Sequence, residues 1–418
     1  MKVSDRFPAL RSRDFSIFWV GQFLSLIGTW MQSTTLPYLA YRLSGKPFDL
    51  GLIGFAATLP TLIIALPAGV LVERFDKRKT VILMQCIMAI QASLLAILAL
   101  TNRIQIWHII VLSLVLGSAS AFEITARQSM LVELVGRESL PNAIALQTAI
   151  FNGARVLGPS LTAVVLVLIQ NQGEGWSFLI NAISYVFIII GLFFVRTPFK
   201  TSGFAKQKHK SIISEFKEGQ KFILGNATIA LVILMAAIVG FFGFPFNQQI
   251  PALARDVLHQ ITDTETIIKA RNSALYIAQG AGALAASIYI SAFSGIKRKG
   301  LLLAVGQIIF SLALIVVSAT TSFSIVMTMM VIMGWAMVTQ LALMNTLVQI
   351  NTPDHIRGRV FSTFLWALQG VAPFGSLFIG WIAQTKSISF AAFISGIACV
   401  TAISAIHILK PQIVRNSY

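Results

Sequence analysis

Apolar runs about 20 residues long or longer recur along the whole chain, at 15–40, 49–72, 80–100, 106–127, 141–169, 176–195, 222–246, 272–293, 300–319, 322–347, 360–384 and 388–409. A hydrocarbon core about 30 Å thick needs about 20 helical residues to cross it, at about 1.5 Å per residue. Every run is long enough. Inside lipid a backbone N–H or C=O finds no water, which leaves the α-helix and the closed barrel as solutions. Barrel strands would show as short alternating segments, and none is visible. The expected fold class is an all-α membrane protein with twelve transmembrane helices. Composition agrees, since 56% of the 418 residues are hydrophobic and only 11% are charged. Soluble domains carry about 25% charge, so soluble enzymes, disordered chains and disulfide scaffolds are excluded. Cys86 and Cys399 both fall inside apolar runs and read as small buried side chains. The charged N-terminus has no small-residue cleavage site after it, so no removable signal is expected.

The net charge of +17 is distributed as short basic clusters between the runs. That pattern sets membrane topology and does not point to nucleic acid. With the N-terminus cytoplasmic, 24 of the 32 Lys and Arg fall on the cytoplasmic side, seven fall opposite, and Arg155 lies within a run. The imbalance predicts both termini in the cytoplasm.

The chain is also a repeat. The link after run 2, Asp76-Lys77-Arg78-Lys79-Thr80-Val81-Ile82-Leu83, is matched after run 8 by Ile296-Lys297-Arg298-Lys299-Gly300-Leu301-Leu302-Leu303. Leu131-Val132-Glu133 is matched by Leu347-Val348-Gln349. Two parallel six-helix bundles are therefore expected, at 1–195 and 222–418, joined by a basic cytoplasmic linker at 196–221. Within and just after that linker Ile212, Phe216 and Ile223 share a helical face, which suits either a surface-lying segment or a solvated one.

Several stretches resemble the major facilitator superfamily, and within it the exporters that include the enterobactin exporter and transmembrane secretion effectors. They are Phe18-Trp19-Val20-Gly21-Gln22, Gly28-Thr29-Trp30-Met31-Gln32, Gly69 to Lys79, Ala126-Arg127-Gln128, and Gly153 to Pro159 in run 5. The resemblance implies a secondary transporter in the bacterial inner membrane. It would act by alternating access on a small organic substrate such as a siderophore, drug or secreted metabolite. The chain would be a monomer in the lipid bilayer, with protons as candidate coupling ions and no cofactor. It also implies a gating role for Gly69, Glu73, Arg74, Asp76, Lys77, Arg78 and Arg127, and a bend at Gly153, Gly158 and Pro159. The pattern departs in having Glu at 73, Asp at 76, Ser160-Leu161-Thr162 after Pro159, and no basic residue in run 4 before Arg127. Proton coupling is therefore open.

Few residues carry chemistry. Arg155 lies well inside run 5, where a charge must face a cavity or a partner; it is a candidate to bind an acidic substrate group, with Gln32 and Asn152 as amide partners. Glu123 is the acid expected to be buried, and either pairs with Arg127 at i,i+4 or carries a coupling proton. The five His have no metal-ligand spacing, and no phosphate-binding loop is present. Trp30, Trp107, Trp176 and Trp381 suit interface anchors. Besides export, the readings open at this point are an uptake carrier, a membrane-embedded enzyme, and a sensor or scaffold.

Overall fold

The computed structural model describes residues 8–169, 171–199, 212–260, 262–292, 298–353 and 356–409, with side chains at 65–74, 212–216, 291–292 and 409 outside that description. Among the described residues the chain is helical and contains no strand. Ten helices among the described residues are long and apolar enough to cross a membrane. One of them, Ile106–Leu168, runs for 63 residues and holds two spans, because Gly136 at φ 73° is the single non-helical position inside it. Only glycine adopts that backbone freely. The helix Arg13–Ser44 completes the set of twelve and is more polar, with Gln22, Ser25, Gln32, Thr34 and Thr35 buried.

Spans 1 to 6 are Arg13–Ser44, Pro47–Arg74, Lys77–Leu100, 106–135, 137–168 and Gly173–Phe194. Spans 7 to 12 are Ala227–Val257, Glu265–Ala292, Lys299–Ser318, Phe323–Ile350, Arg357–Thr385 and Ile388–Leu409. Local chemistry sets the ends. Ser12 accepts from the Phe15 N–H at 3.2 Å to start span 1, and Gly45 at φ 62° closes it. Asp76 accepts from the Lys79 N–H at 3.0 Å to start span 3. Asn226 accepts from the Ile229 N–H at 3.2 Å to start span 7.

Three boundaries differ from the sequence expectation. Span 7 starts at Ala227, since residues 222–225 belong to a separate linker helix, Ile212–Gly225. The Ile212 and Phe216 side chains lie outside the described residues, but Ile223 is buried. That helix is held to the start of span 11 by Glu218 and Arg359 at 2.9 Å and by Gln220 and Thr363 at 3.0 Å. Span 7 continues to Val257, and span 8 begins at Glu265 instead of 272. Glu265, Lys269 and Arg271 lower the hydropathy of those first turns, yet each has an acid, base or phenol partner within the fold. Spans 4 and 5 stay helical through most of the expected 127–140 loop, apart from Gly136.

The chain forms two compact units, each including a segment from the other half of the sequence. Unit 1 takes Met1–Gly45, Ala56–Ala205 and Thr262–Ile277; unit 2 takes Lys46–Phe55, Lys206–Ile261 and Ala278–Tyr418. Within each unit, glycines let backbones approach where any side chain would collide. In unit 1 an added Cβ on Gly117 would sit 2.2 Å from the Ala57 carbonyl oxygen, and on Gly158 2.4 Å from Trp30 Cβ. In unit 2 a Cβ on Gly334 would sit 1.9 Å from the Gln279 carbonyl oxygen, and on Gly375 2.1 Å from that of Phe241. Gly117 to Gly334 and Gly158 to Gly375 share one offset, 217 residues. The contacts join spans 4 and 2, 10 and 8, 5 and 1, and 11 and 7. The repeat read from the loops is thus present in the packing.

Gly334→Ala is expected to lower stability by about 1–3 kcal/mol through overpacking against backbone. Gly306, whose added Cβ would meet nothing closer than 3.6 Å, is the control: Gly306→Ala should be neutral or stabilise by up to about 1 kcal/mol. Thermal melting of the purified proteins in detergent distinguishes the two.

Candidate functional site

Beside its apolar clusters, unit 1 buries many amides and hydroxyls. Gln32 of span 1 donates to Gln91 of span 3 at 3.3 Å and accepts from Asn181 of span 6 at 2.8 Å. Ser184 donates to the Asn181 carbonyl at 2.7 Å, and Thr29 and Tyr185 share a hydrogen bond at 3.2 Å. Gly28 makes room for this cluster, because a Cβ there would lie 2.2 Å from the Ser184 hydroxyl oxygen. Three spans are thereby joined without a charge. In a medium that offers no water, each such amide must find its partner inside the protein.

Arg155 lies near the midpoint of span 5 and is 7% exposed. Its guanidinium carbon stands 5.3 Å from the Trp30 ring centroid, and Trp30 packs edge-on to Phe151 with centroids 5.6 Å apart. A cation over an aromatic face is stabilised by the ring quadrupole, most strongly when desolvated. The amides expected beside Arg155 are otherwise occupied: Gln32 joins the cluster above, and Asn152 donates to the Thr148 carbonyl at 2.9 Å, one turn back. Gly158 is needed for the approach of span 5 to span 1, whereas Gly153 meets only a Phe23 ring carbon at 3.7 Å. Helical backbone continues through Pro159.

Glu123 is buried and paired. Arg127 donates through Nε to its carboxylate at 2.9 Å and through Nη1 to Gln147 at 3.4 Å, while Gln85 donates to Glu123 at 3.4 Å. The loop charges serve local ties. Asp76 caps span 3, Lys77 pairs with Glu133 of span 4, and Arg78 donates to the Phe193 carbonyl of span 6 at 2.9 Å. Together they fasten one end of span 3 to spans 4 and 6. The side chains of Glu73 and Arg74, and the surroundings of Gly69, lie outside the described residues.

Glu123 is not the only buried acid. Glu174, in the first turn of span 6, is 2% exposed and lies 3.1 Å from Arg42 and 3.3 Å from Lys269. Lys269 is itself 2% exposed. Both were hidden in the sequence, because short charged stretches between apolar runs read as loops. The detectable signal was the spacing of Lys269, Asn272, Ser273 and Tyr276, which share a helical face. Among the described residues no cluster of three or more His, Cys, Asp or Glu could hold a metal ion.

Gln32→Leu is expected to cost about 1–3 kcal/mol, because it leaves the Asn181 and Gln91 amides without their buried partner. Asn152→Ala removes a bond to the helix's own backbone, and its cost should stay below about 1 kcal/mol. Melting of the two variants in detergent checks the order.

Comparison with known proteins places this arrangement. The chain is 22% identical over 369 residues to the multidrug efflux pump Tap of Mycolicibacterium fortuitum, covering 86% of this chain and 87% of that one. It is 21% identical over 390 residues to the enterobactin exporter EntS of Citrobacter koseri, covering 92% and 89%. A solved transporter of the POT family, in complex with 5-aminolevulinic acid, superposes with a TM-score of 0.74 at 12% identity, over 97% of both chains. The fold is that of a major facilitator transporter, and its relatives are multi-pass membrane transporters of small molecules. The pattern of the family described as transmembrane secretion effector matches residues 4–416, and the chain belongs to that family, within the exporter branch of the major facilitator superfamily.

Proposed function

We propose that the chain exports a small organic molecule bearing an acidic group, and that Arg155 binds that group. The observation that supports this is Arg155 itself. A buried arginine at the middle of a membrane span costs at least about 2.5–3.5 kcal/mol on insertion scales, which marks it as functional. Its planar fork of donors suits a carboxylate, and the Trp30 ring beneath it steadies the guanidinium. The names of the relatives, an efflux pump and a siderophore exporter, support the direction of transport. No covalent step is part of this reading: the chain is a carrier and not an enzyme.

The remaining elements belong to the same proposal. The positive bias of the loops supports cytoplasmic termini in a bacterial inner membrane, with a monomer as the working form. The two halves of the sequence, 1–195 and 222–418, act as the moving bundles, with 196–221 as linker. Alternating access exposes the midplane site to one side at a time. Asp76, Lys77, Arg78 and Arg127 contribute to gating by keeping the ends of spans 3 and 4 rigid, alongside Gly69, Glu73 and Arg74. Glu123 carries the coupling proton of an antiport cycle, since its pairing with Arg127 offers a contact that protonation would release.

The test is efflux from an efflux-deficient bacterium expressing the chain, with matched anionic and neutral compounds. Arg155→Lys keeps the charge and loses the fork, so it should reduce efflux of the anionic member about tenfold or more and spare the neutral one. Equal loss for both, in protein that reaches the membrane in normal amount, contradicts an anion-binding role. Glu123→Gln should abolish the dependence of efflux on the pH gradient; retained dependence removes Glu123 as the proton carrier.

A further inference from the structure

A polar seam runs along the first turns of span 8, inside unit 1. Lys269, Asn272, Ser273 and Tyr276 stand at helical spacing on one face. Lys269 is 2% exposed, and Asn272 and Ser273 are fully buried. At the near end, Lys269 lies against Glu174 of span 6, which also meets Arg42 at the last turn of span 1. Glu265, one turn before Lys269, accepts from the Tyr38 hydroxyl of span 1. Asp263 and Arg271 pair at 2.5 Å across the start of the same helix. The group therefore sets Arg42, Lys269 and Arg271 against Glu174, Glu265 and Asp263, three cations and three acids.

Two features show that this packing is held under opposition. First, Glu174 Oε1 has charge contacts with Arg42 and Lys269 but no aligned hydrogen bond among the described residues. A buried pair offsets its desolvation only when geometry and hydrogen bonding are good. Second, among the described residues both amide atoms of Asn272 and the hydroxyl of Ser273 have no hydrogen-bond partner, and neither has the Thr35 hydroxyl on span 1. Buried polar groups without partners disfavour the state that buries them. Attraction between the charges closes the seam, and the thirst of these groups for water opposes it. The seam lies wholly within unit 1, to which helix Glu265–Ala292 belongs through Ile277.

We infer that the Arg42–Glu174–Lys269 cluster is a gate latch that holds the first turns of span 8 against spans 1 and 6, and that Asn272 and Ser273 become hydrated when it opens. The inference rests on the proposal that the chain alternates access. The latch lies at the helix ends away from the N-terminus, the opposite end from the Lys77–Glu133 contact at the start of span 3. It assigns Glu174 and Lys269 a positioning role in the transport cycle. Neither residue need touch the substrate.

The test needs no substrate. Ser273→Cys is introduced into full-length protein carrying Cys86→Ser and Cys399→Ser, and its reaction with N-ethylmaleimide is timed in membranes. The reagent crosses bilayers, so the result does not depend on orientation. The neutral pair Glu174→Gln/Lys269→Gln removes both fully buried charges, leaves Arg42 with its 30% exposure to solvent, and should raise the labelling rate about tenfold. The exchanged pair Glu174→Lys/Lys269→Glu keeps two cations around one acid and should return the rate toward that of the parent. Labelling at the parent rate in the neutral pair, in protein that elutes as a single folded species, overturns the latch. Efflux assayed beside it separates the two claims. Altered labelling without any efflux keeps the latch and removes the exporter reading, whereas efflux with unaltered labelling does the reverse.

Discussion

A buried polar group in this chain gains a hydrogen bond only from another protein group, because the surrounding lipid offers none. That constraint explains why spans 1, 3 and 6 of unit 1 are joined in their interior by the amides of Gln32, Gln91 and Asn181. Gln32, bonded through both its amide atoms, joins three helices without the cost of a buried charge, which demands a partner of good geometry. Among the described residues charge is buried at Glu123, Arg155, Glu174 and Lys269, and these are the residues to which the proposed transport roles are assigned.

Close helix approach is the second condition of the fold, and glycine supplies it. Gly117 and Gly334 meet the carbonyls of Ala57 and Gln279, and Gly158 and Gly375 meet spans 1 and 7. These glycines occupy corresponding places in the two halves of the chain. Apolar side chains alone cannot drive association in a medium as apolar as they are, so packing of small residues carries much of the helix–helix contact. The repeat is therefore a repetition of contacts as well as of helices. Between Gly240 and Leu368 the pattern goes further, because an added Cβ at Gly240 would stand 2.2 Å from the Leu368 carbonyl oxygen, and both residues lie in short π-helical segments. Such segments widen the helix locally and often accompany function.

The twelve helices were legible in the sequence because hydropathy and length report directly on what lipid tolerates. Boundaries were less legible where charge enters a helix. Span 8 begins at Glu265, seven residues before its apolar run, since Glu265, Lys269 and Arg271 find partners that hydropathy cannot foresee. For the same reason Glu174 passed as part of a short loop. The pairing of Glu123 with Arg127 was readable, being a matter of i,i+4 spacing. The cation–π contact of Arg155 with Trp30 was not, since it joins residues 125 positions apart that only the packing at Gly158 brings together. Local chemistry shows in a sequence; partners across the bundle do not.

The central claim is that this chain alone moves a small molecule against its gradient, using an ion gradient for energy. Purified protein in sealed vesicles, given a fluorescent anionic compound that the efflux assay shows it to export, tests it most directly. Imposing a pH gradient, with no nucleotide and no partner protein present, should drive the compound to the side that corresponds to the cell exterior, and a protonophore should stop it. Flux that ignores the gradient and the protonophore, or that requires ATP or a second protein, contradicts the account.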